Sequence, residues 1–311
     1  MYMRVCLLIN VIMLLFLFGC ATKHSLIEGA SFEARCHAPE VVRCIGFDSQ
    51  AEVDRYLYPP WGTTQKRGAV AIDVKASGDG ALRFEVPSLS GSDTSGNFSL
   101  NFADDLSTQF GEGEEFYVQW RQRFSPEFLG TYYLKSGGWK QITIGEGDRP
   151  GFTAPGCTQL ELVVVNSYQA GFVQMYHSCG GKDGQFEGLG GGGRYYADEW
   201  MTFQVHVKIG TWYRNDRNYH HDSTIQLWVA REGRPSQLEV DLSPEPATVF
   251  GIQVPGSGTG YDLANDNPSA KYGKVILTVY QTGKDPTQNH PNGYVWYDEL
   301  IISRAKIPDP Q

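Results

Sequence analysis

Basic residues are scarce in this chain: 26 Lys and Arg stand against 35 Asp and Glu, a formal net charge of −9. Nucleic-acid binding is dominated by phosphate neutralisation, so the balance argues against it. A sustained helical period is also missing, with Phe128 to Leu134 the one stretch that approaches it. No linker long enough to separate a pair of domains interrupts residues 31–311, which read as a single domain. The run from Gly188 to Arg194 is rich in glycine but is followed by neither Lys-Ser nor Lys-Thr. That excludes a phosphate loop and leaves a hairpin loop or a lid over a groove. The cysteines lack the close paired spacing of structural zinc sites, so no metal is expected there.

What the chain has in quantity is aromatic residues, at 13%, and glycine, at 36 residues. Both belong to strands and tight turns. Alternation with period two recurs over Ala69–Val74, Ala81–Val86, Phe98–Phe102, Glu115–Phe124, Trp139–Ile144, Glu161–Asn166, Phe172–His177, Trp200–Ile209, Thr224–Ala230, Lys274–Tyr280 and Tyr294–Ser303. Many short strands separated by Gly, Pro, Asn and Asp predict an all-β sandwich or barrel. In Glu115–Phe124 the spacing puts Phe116, Val118, Trp120 and Gln122 on one side. Tyr117, Gln119, Arg121 and Arg123 fall on the other. Trp120 and Trp228 are expected in the core.

The longest apolar run is at the start, from Val5 to Phe18 with Asn10 interrupting, after a single Arg4. It is shorter than the roughly 20 residues of a spanning helix and fits a signal-peptide core. Its end, Leu17-Phe18-Gly19-Cys20, resembles the lipobox of bacterial lipoproteins. The resemblance implies a signal peptide over 1–19, lipidation of Cys20, a tether over 20–30 and export to the envelope. Ala21 after the cysteine implies the outer membrane. In an oxidising compartment Cys36, Cys44, Cys157 and Cys179 form an even set, and proximity favours Cys36–Cys44 and Cys157–Cys179.

Trp200–Val207, Thr224–Gly233 and the closing run Gly293-Tyr294-Val295-Trp296-Tyr297-Asp298-Glu299-Leu300-Ile301-Ile302-Ser303 resemble strands of polysaccharide lyases with the concanavalin A-like jelly-roll fold. These belong to the alginate and glucuronan lyase group. That resemblance implies a jelly-roll β-sandwich with a concave substrate groove. It also implies cleavage of an acidic, uronate-containing polysaccharide by β-elimination. The family's Arg-containing strand is similar to Gln119–Arg123. Its Gln-Ile-His strand is similar to Lys140-Gln141-Ile142-Thr143, and its Tyr-Lys-Ala-Gly strand to Val279–Gly283. Thr143 stands where the family has histidine.

β-Elimination needs a neutralised carboxylate, a base for the C5 proton and an acid for the leaving oxygen. The residues expected on the carboxylate are Arg121, Arg123, Gln141 and Asn166, with Lys140 adding charge. His177 is the expected base in place of the missing histidine. Tyr280 is the acid or a shared acid–base. Trp139, Tyr168 and Tyr195 are candidates to stack on sugar rings. No cofactor is required. A structural calcium at Asp262 and Asp266 stays open, although their spacing matches no defined calcium loop. His220 and His221 read as an exposed loop.

Two other classes fit portions of this pattern. A glycan-binding module without catalysis would use the same groove and aromatics. A glycoside hydrolase needs two carboxyl groups flanking the bond. The Glu-x-Asp-x-x-Glu strand of jelly-roll glucanases is absent. Asp298 and Glu299 are adjacent, so a regular strand would face them opposite ways. A monomer is expected.

Overall fold

The computed structural model describes residues 29–56, 68–136, 138–147, 159–165, 172–178, 186–188, 194–216, 218–245, 248–249, 252–253, 258–264 and 267–310. On 159–165, 172–178 and 186–188 it describes the backbone and, of the side chains, that of Met175. Cys20, Cys157, Cys179, Asn166, Tyr168 and Asp266 lie outside the described residues.

Two antiparallel sheets make a jelly-roll sandwich. The strands are β1 (Val41–Ile45), β2 (Ala69–Ala71), β3 (Ala81–Val86), β4 (Asn97–Asn101), β5 (Glu115–Phe124), β6 (Lys140–Glu146), β7 (Gln159–Val165), β8 (Phe172–Ser178), β9 (Phe186–Gly188), β10 (Met201–Lys208), β11 (Thr224–Ala230) and β12 (Gln237–Leu242). They continue with β13 (Thr248–Val249), β14 (Ile252–Gln253), β15 (Tyr272–Thr278) and β16 (Gly293–Ser303). The eight-stranded sheet runs β12-β11-β10-β5-β16-β3-β2, with β1 also paired to β16. The six-stranded sheet runs β4-β15-β6-β7-β8-β9. β13 and β14 pair with each other in a small separate sheet.

Alternation decides what lies between the sheets. Phe116, Val118, Trp120 and Phe124 of β5 face Ile142, Ile144, Met175, Val275 and Leu277 in one core. Phe102, Phe110, Phe116 and Tyr272 form an aromatic file within it. Burying side chains of this size contributes roughly 1.5–3 kcal/mol each. Trp120 is fully buried, as expected. Trp228 is not: it is half-buried on the outer face, with the Lys306 ammonium 4.5 Å from its ring centroid. Its strand alternates the other way, with Leu227 inside.

The three short helices α1 (Phe32–Cys36), α2 (Gln50–Asp54) and α3 (Pro126–Gly130) are each capped by serine. The Oγ atoms of Ser31, Ser49 and Ser125 accept from the N–H groups of Ala34, Glu52 and Phe128. Helix α3 starts at Pro126, two residues before the helical pattern at Phe128, and ends at Gly130 rather than Leu134. Ile72 to Val74, read as strand, form bends instead.

The Cys36–Cys44 disulfide ties α1 to β1. It sets Arg35, buried on the outer face of the eight-stranded sheet, against Glu299 and Gln119. Here β16 carries a bulge: Asp298 pairs with Arg121 and Ile301 with Gln119. Glu299 takes a left-handed φ of 51°. The bulge corrects the expectation that Asp298 and Glu299 face opposite ways, because an extra residue breaks the two-residue period. Glu299 meets Arg35, while Asp298 accepts from the backbone N–H groups of Ala76 and Ser77 over the same face.

Two outcomes follow for stability. The disulfide closes a loop with a sequence separation of 8. Replacing both cysteines by serine should cost about 2–3 kcal/mol by loop entropy, read as a lower urea midpoint. Burial pushes the Asp298 carboxyl from 3.8 to about 8, with the Glu299 charge adding to the rise and the Ala76 N–H opposing it. The folded state therefore keeps a proton that the unfolded chain releases, and this stabilisation declines as pH rises from 3.8 to about 8. Melting of Asp298→Asn across that window should show a shallower decline than the parent; equal slopes would contradict it.

Candidate functional site

The outer face of the six-stranded sheet is assembled by parity. Val275, Leu277 and Val279 face the core, so Lys274, Ile276, Thr278 and Tyr280 face out. Residues Ser99, Ile276 and Thr143 pair across β4, β15 and β6. The register carries that row through positions 161, 176 and 188. A second row joins Asn101, Lys274 and Gly145. This outward face is polar yet closely covered: Ser99, Asn101, Thr143, Lys274 and Thr278 are all buried. The Asn101 Oδ1 has no hydrogen-bond partner there.

Beyond the end of β15, the Lys140 N–H donates to the Tyr280 carbonyl at 2.8 Å and prolongs the β6–β15 pairing. The Lys140 Nζ lies 5.7 Å from the centroid of the Tyr280 ring. Both side chains are half-buried on the outward face. The Tyr280 N–H is held by Thr278 Oγ1 at 3.2 Å, which fixes the chain at the ring.

The other expected residues are placed as follows. Gln141 points inward, because a bulge between Lys140 and Ile142 turns both Gln141 and Ile142 toward the core. Its Nε2 donates to Gln122 Oε1 at 2.9 Å, and its Oε1 accepts from the Tyr195 hydroxyl. Trp139 and Tyr195 are 4% and 2% exposed, within 4.9 Å of each other by ring centroid. This corrects their role as sugar platforms, since neither offers a face to solvent. Burial pushes the Tyr195 phenol well up, so it serves as a neutral donor to Gln141.

Arg121 and Arg123 do share a face, as their spacing requires, but it is the outer face of the eight-stranded sheet. The core lies between them and Tyr280. Arg121 sits 3.8 Å from carboxylate oxygens of both Glu299 and Glu232, and Arg123 3.1 Å from Asp198. Position 177 pairs with Leu160 and Glu187 and lies two residues from Met175, which is in the core. Its parity is therefore that of the core side, and the outward parity on β8 belongs to Gln174 and Tyr176.

Among the described side chains of the expected set, Lys140 and Tyr280 meet on the outward face of the six-stranded sheet, whereas Trp139, Gln141 and Tyr195 meet in the core. The residues missed are Lys274 and Asn101, and by register positions 161, 174 and 176. A signal for positions 174 and 176 was present in the sequence, where Val173 and Met175 are the apolar partners of the alternation in β8. Asp262 pairs with Arg214 at 2.5 Å. No group of three or more His, Cys, Asp or Glu able to hold a metal occurs among the described residues. His221 is exposed, and His220 meets Asp216 at 3.2 Å.

The chain matches no protein-family model and no curated protein. Among solved structures it is similar to alginate lyase Aly36B, with a TM-score of 0.50 and 15% identity over 86% of this chain and 98% of that one. It is also similar to the marine PL-14 alginate lyase from Aplysia kurodai, with a TM-score of 0.51 and 14% identity over 84% and 98%. At such identities these likenesses establish the fold: this chain has the jelly-roll architecture of alginate lyases.

The inward Gln141 generates a stability outcome. Gln141→Ala leaves the Tyr195 hydroxyl without its buried partner and the Gln122 Oε1 with the Trp120 indole alone, at a cost of about 1–3 kcal/mol in a denaturant melt. An unchanged midpoint would contradict the inward placement.

Proposed function

We propose that this chain is a polysaccharide lyase, cleaving an acidic, uronate-containing glycan by β-elimination on the outer face of the six-stranded sheet. The observation that carries the reading is the Lys140–Tyr280 pair, a cation beside a phenol on that face. The alginate-lyase fold supports it without supplying a substrate.

In this reading the Lys140 ammonium meets the uronate carboxylate, which lowers the cost of charge developing at C5. Tyr280 then takes the C5 proton, the C4–O bond breaks, and the same proton is returned to the leaving oxygen. The products are a new reducing chain and a 4,5-unsaturated uronate. Because position 177 has core-side parity, Tyr280 carries both proton roles. Lys274 lies buried in the neighbouring row of the same face.

Export and lipid anchoring through Cys20 belong to the same proposal. The apolar run ending at Leu17-Phe18-Gly19-Cys20 supports it. So does the Cys36–Cys44 disulfide, which suits an oxidising compartment.

The body from Thr22 onward, incubated with alginate, glucuronan, pectate and glycosaminoglycans, should raise absorbance near 235 nm (roughly the window of the unsaturated product) on one of them. Tyr280→Phe should lower that rate by about 10²-fold or more, and Lys140→Gln by about tenfold. A fully active Tyr280→Phe would end the assignment. Binding without any absorbance change would make the chain a glycan-binding module.

A further inference from the structure

The arginines that do not serve the front face lie in an arrangement of their own. On the outer face of the eight-stranded sheet, Arg83 on β3, Trp296 on β16 and Arg123 on β5 pair across three adjacent strands. Neighbouring strands stand about 4.8 Å apart, so the row sets an indole between two guanidinium-bearing residues. Arg121 lies two residues along, with its guanidinium carbon 6.0 Å from the Trp200 ring centroid. Arg83 stacks over Tyr294 at 5.5 Å. Trp200 and Trp296 form a small apolar cluster with Ala71 and Ala81, separate from the main core.

Three N–H donors here are buried and meet no acceptor: Arg121 Nε, Arg123 Nε and Trp296 Nε1. Arg121 and Trp296 are 6% and 9% exposed. Folded proteins leave few such groups unpaired, and three together on one patch signal an acceptor that binds there. All three are donors, and two belong to cations, so the matching ligand is an anion with several lone pairs. A guanidinium has five donors in a fixed fork suited to a carboxylate. The carboxylates already present leave that capacity in place. Asp198 engages only the Nη2 of Arg123, and Glu232 and Glu299 stand 3.8 Å from Arg121, too far for a good hydrogen bond. Arg83 makes no ion pair among the described residues. Tyr294, half-buried beside the row, offers an aromatic surface to a sugar ring.

We infer that the eight-stranded sheet carries a second polymer-binding site, the row Arg83–Trp296–Arg123 with Arg121, which takes a carboxylate of an acidic glycan. That the anion is a uronate rests on the lyase reading; that the site takes an anion does not. The site is remote from Tyr280, with the whole core between them. A polymer held there would be kept at the enzyme between cleavages and would gain affinity through two contacts on one chain.

The test compares the parent with Arg83→Gln and with Arg83→Gln/Trp296→Phe. Two quantities are read: retardation in gels containing alginate, glucuronan or pectate, and turnover of a uronate trisaccharide at about 235 nm. The single variant alters a half-buried side chain and guards against a folding defect in the double. The expected result is polymer affinity lowered about fivefold in the single variant and tenfold or more in the double, with trisaccharide turnover unchanged. Turnover with undiminished polymer affinity in both variants overturns the second site, the donors then being filled by water, while the lyase stands. Affinity lost in the variants with no turnover in any of the proteins upholds the site and ends the lyase reading. A parent that no polyuronate retards overturns the site.

Discussion

The two sheets are joined through the core by a polar bridge, and the front face depends on it. The Tyr297 hydroxyl, projecting inward from β16, bonds to the Gln141 carbonyl at 2.8 Å and the Thr278 carbonyl at 2.9 Å. Gln141 reaches back to Gln122 at 2.9 Å, and the Trp120 indole donates to the same Gln122 oxygen at 3.1 Å. Buried polar groups are costly unless paired, so this bridge fixes one relative position of the sheets. The carbonyls it grips belong to the residue after Lys140 and to the residue two before Tyr280. The site pair is thus held from behind by groups that never face solvent.

That bridge also explains how much of the site could be read from the sequence. Period two located most strands, because half-buried strands must alternate. It missed β1, β9, β12, β13 and β14, where the pattern is short or mixed. Parity put Arg121 and Arg123 on one side correctly. It says nothing about which sheet a strand joins, and the fold sets them across the core from Tyr280. A bulge leaves no mark in the pattern. Gln141 therefore looked like a groove residue and is a core residue, and Glu299 looked opposed to Asp298 and shares its face. The displaced residues all have physical partners in the fold: Gln122 and Tyr195 for Gln141, Arg35 for Glu299. The Cys36–Cys44 pair was legible because proximity in sequence brings the two within reach almost regardless of fold.

The chain is acidic as a whole, yet its cations are placed with purpose. Lys140 and Lys274 lie on the front face. Arg83, Arg121 and Arg123 lie on the back. A polyanion approaching such a surface meets local attraction within general repulsion, which favours specific docking over nonspecific adhesion. The two faces differ in chemistry. The front sets an ammonium beside a phenol ring, whereas the back gathers guanidinium groups, an indole and their carboxylate partners.

The most direct test of the front face as the reacting surface is a crystal structure of Tyr280→Phe with a uronate trisaccharide. The account predicts one carboxylate within hydrogen-bonding reach of the Lys140 Nζ and the C5 hydrogen of that sugar directed at the ring of residue 280. A trisaccharide bound away from β6 and β15 would contradict it.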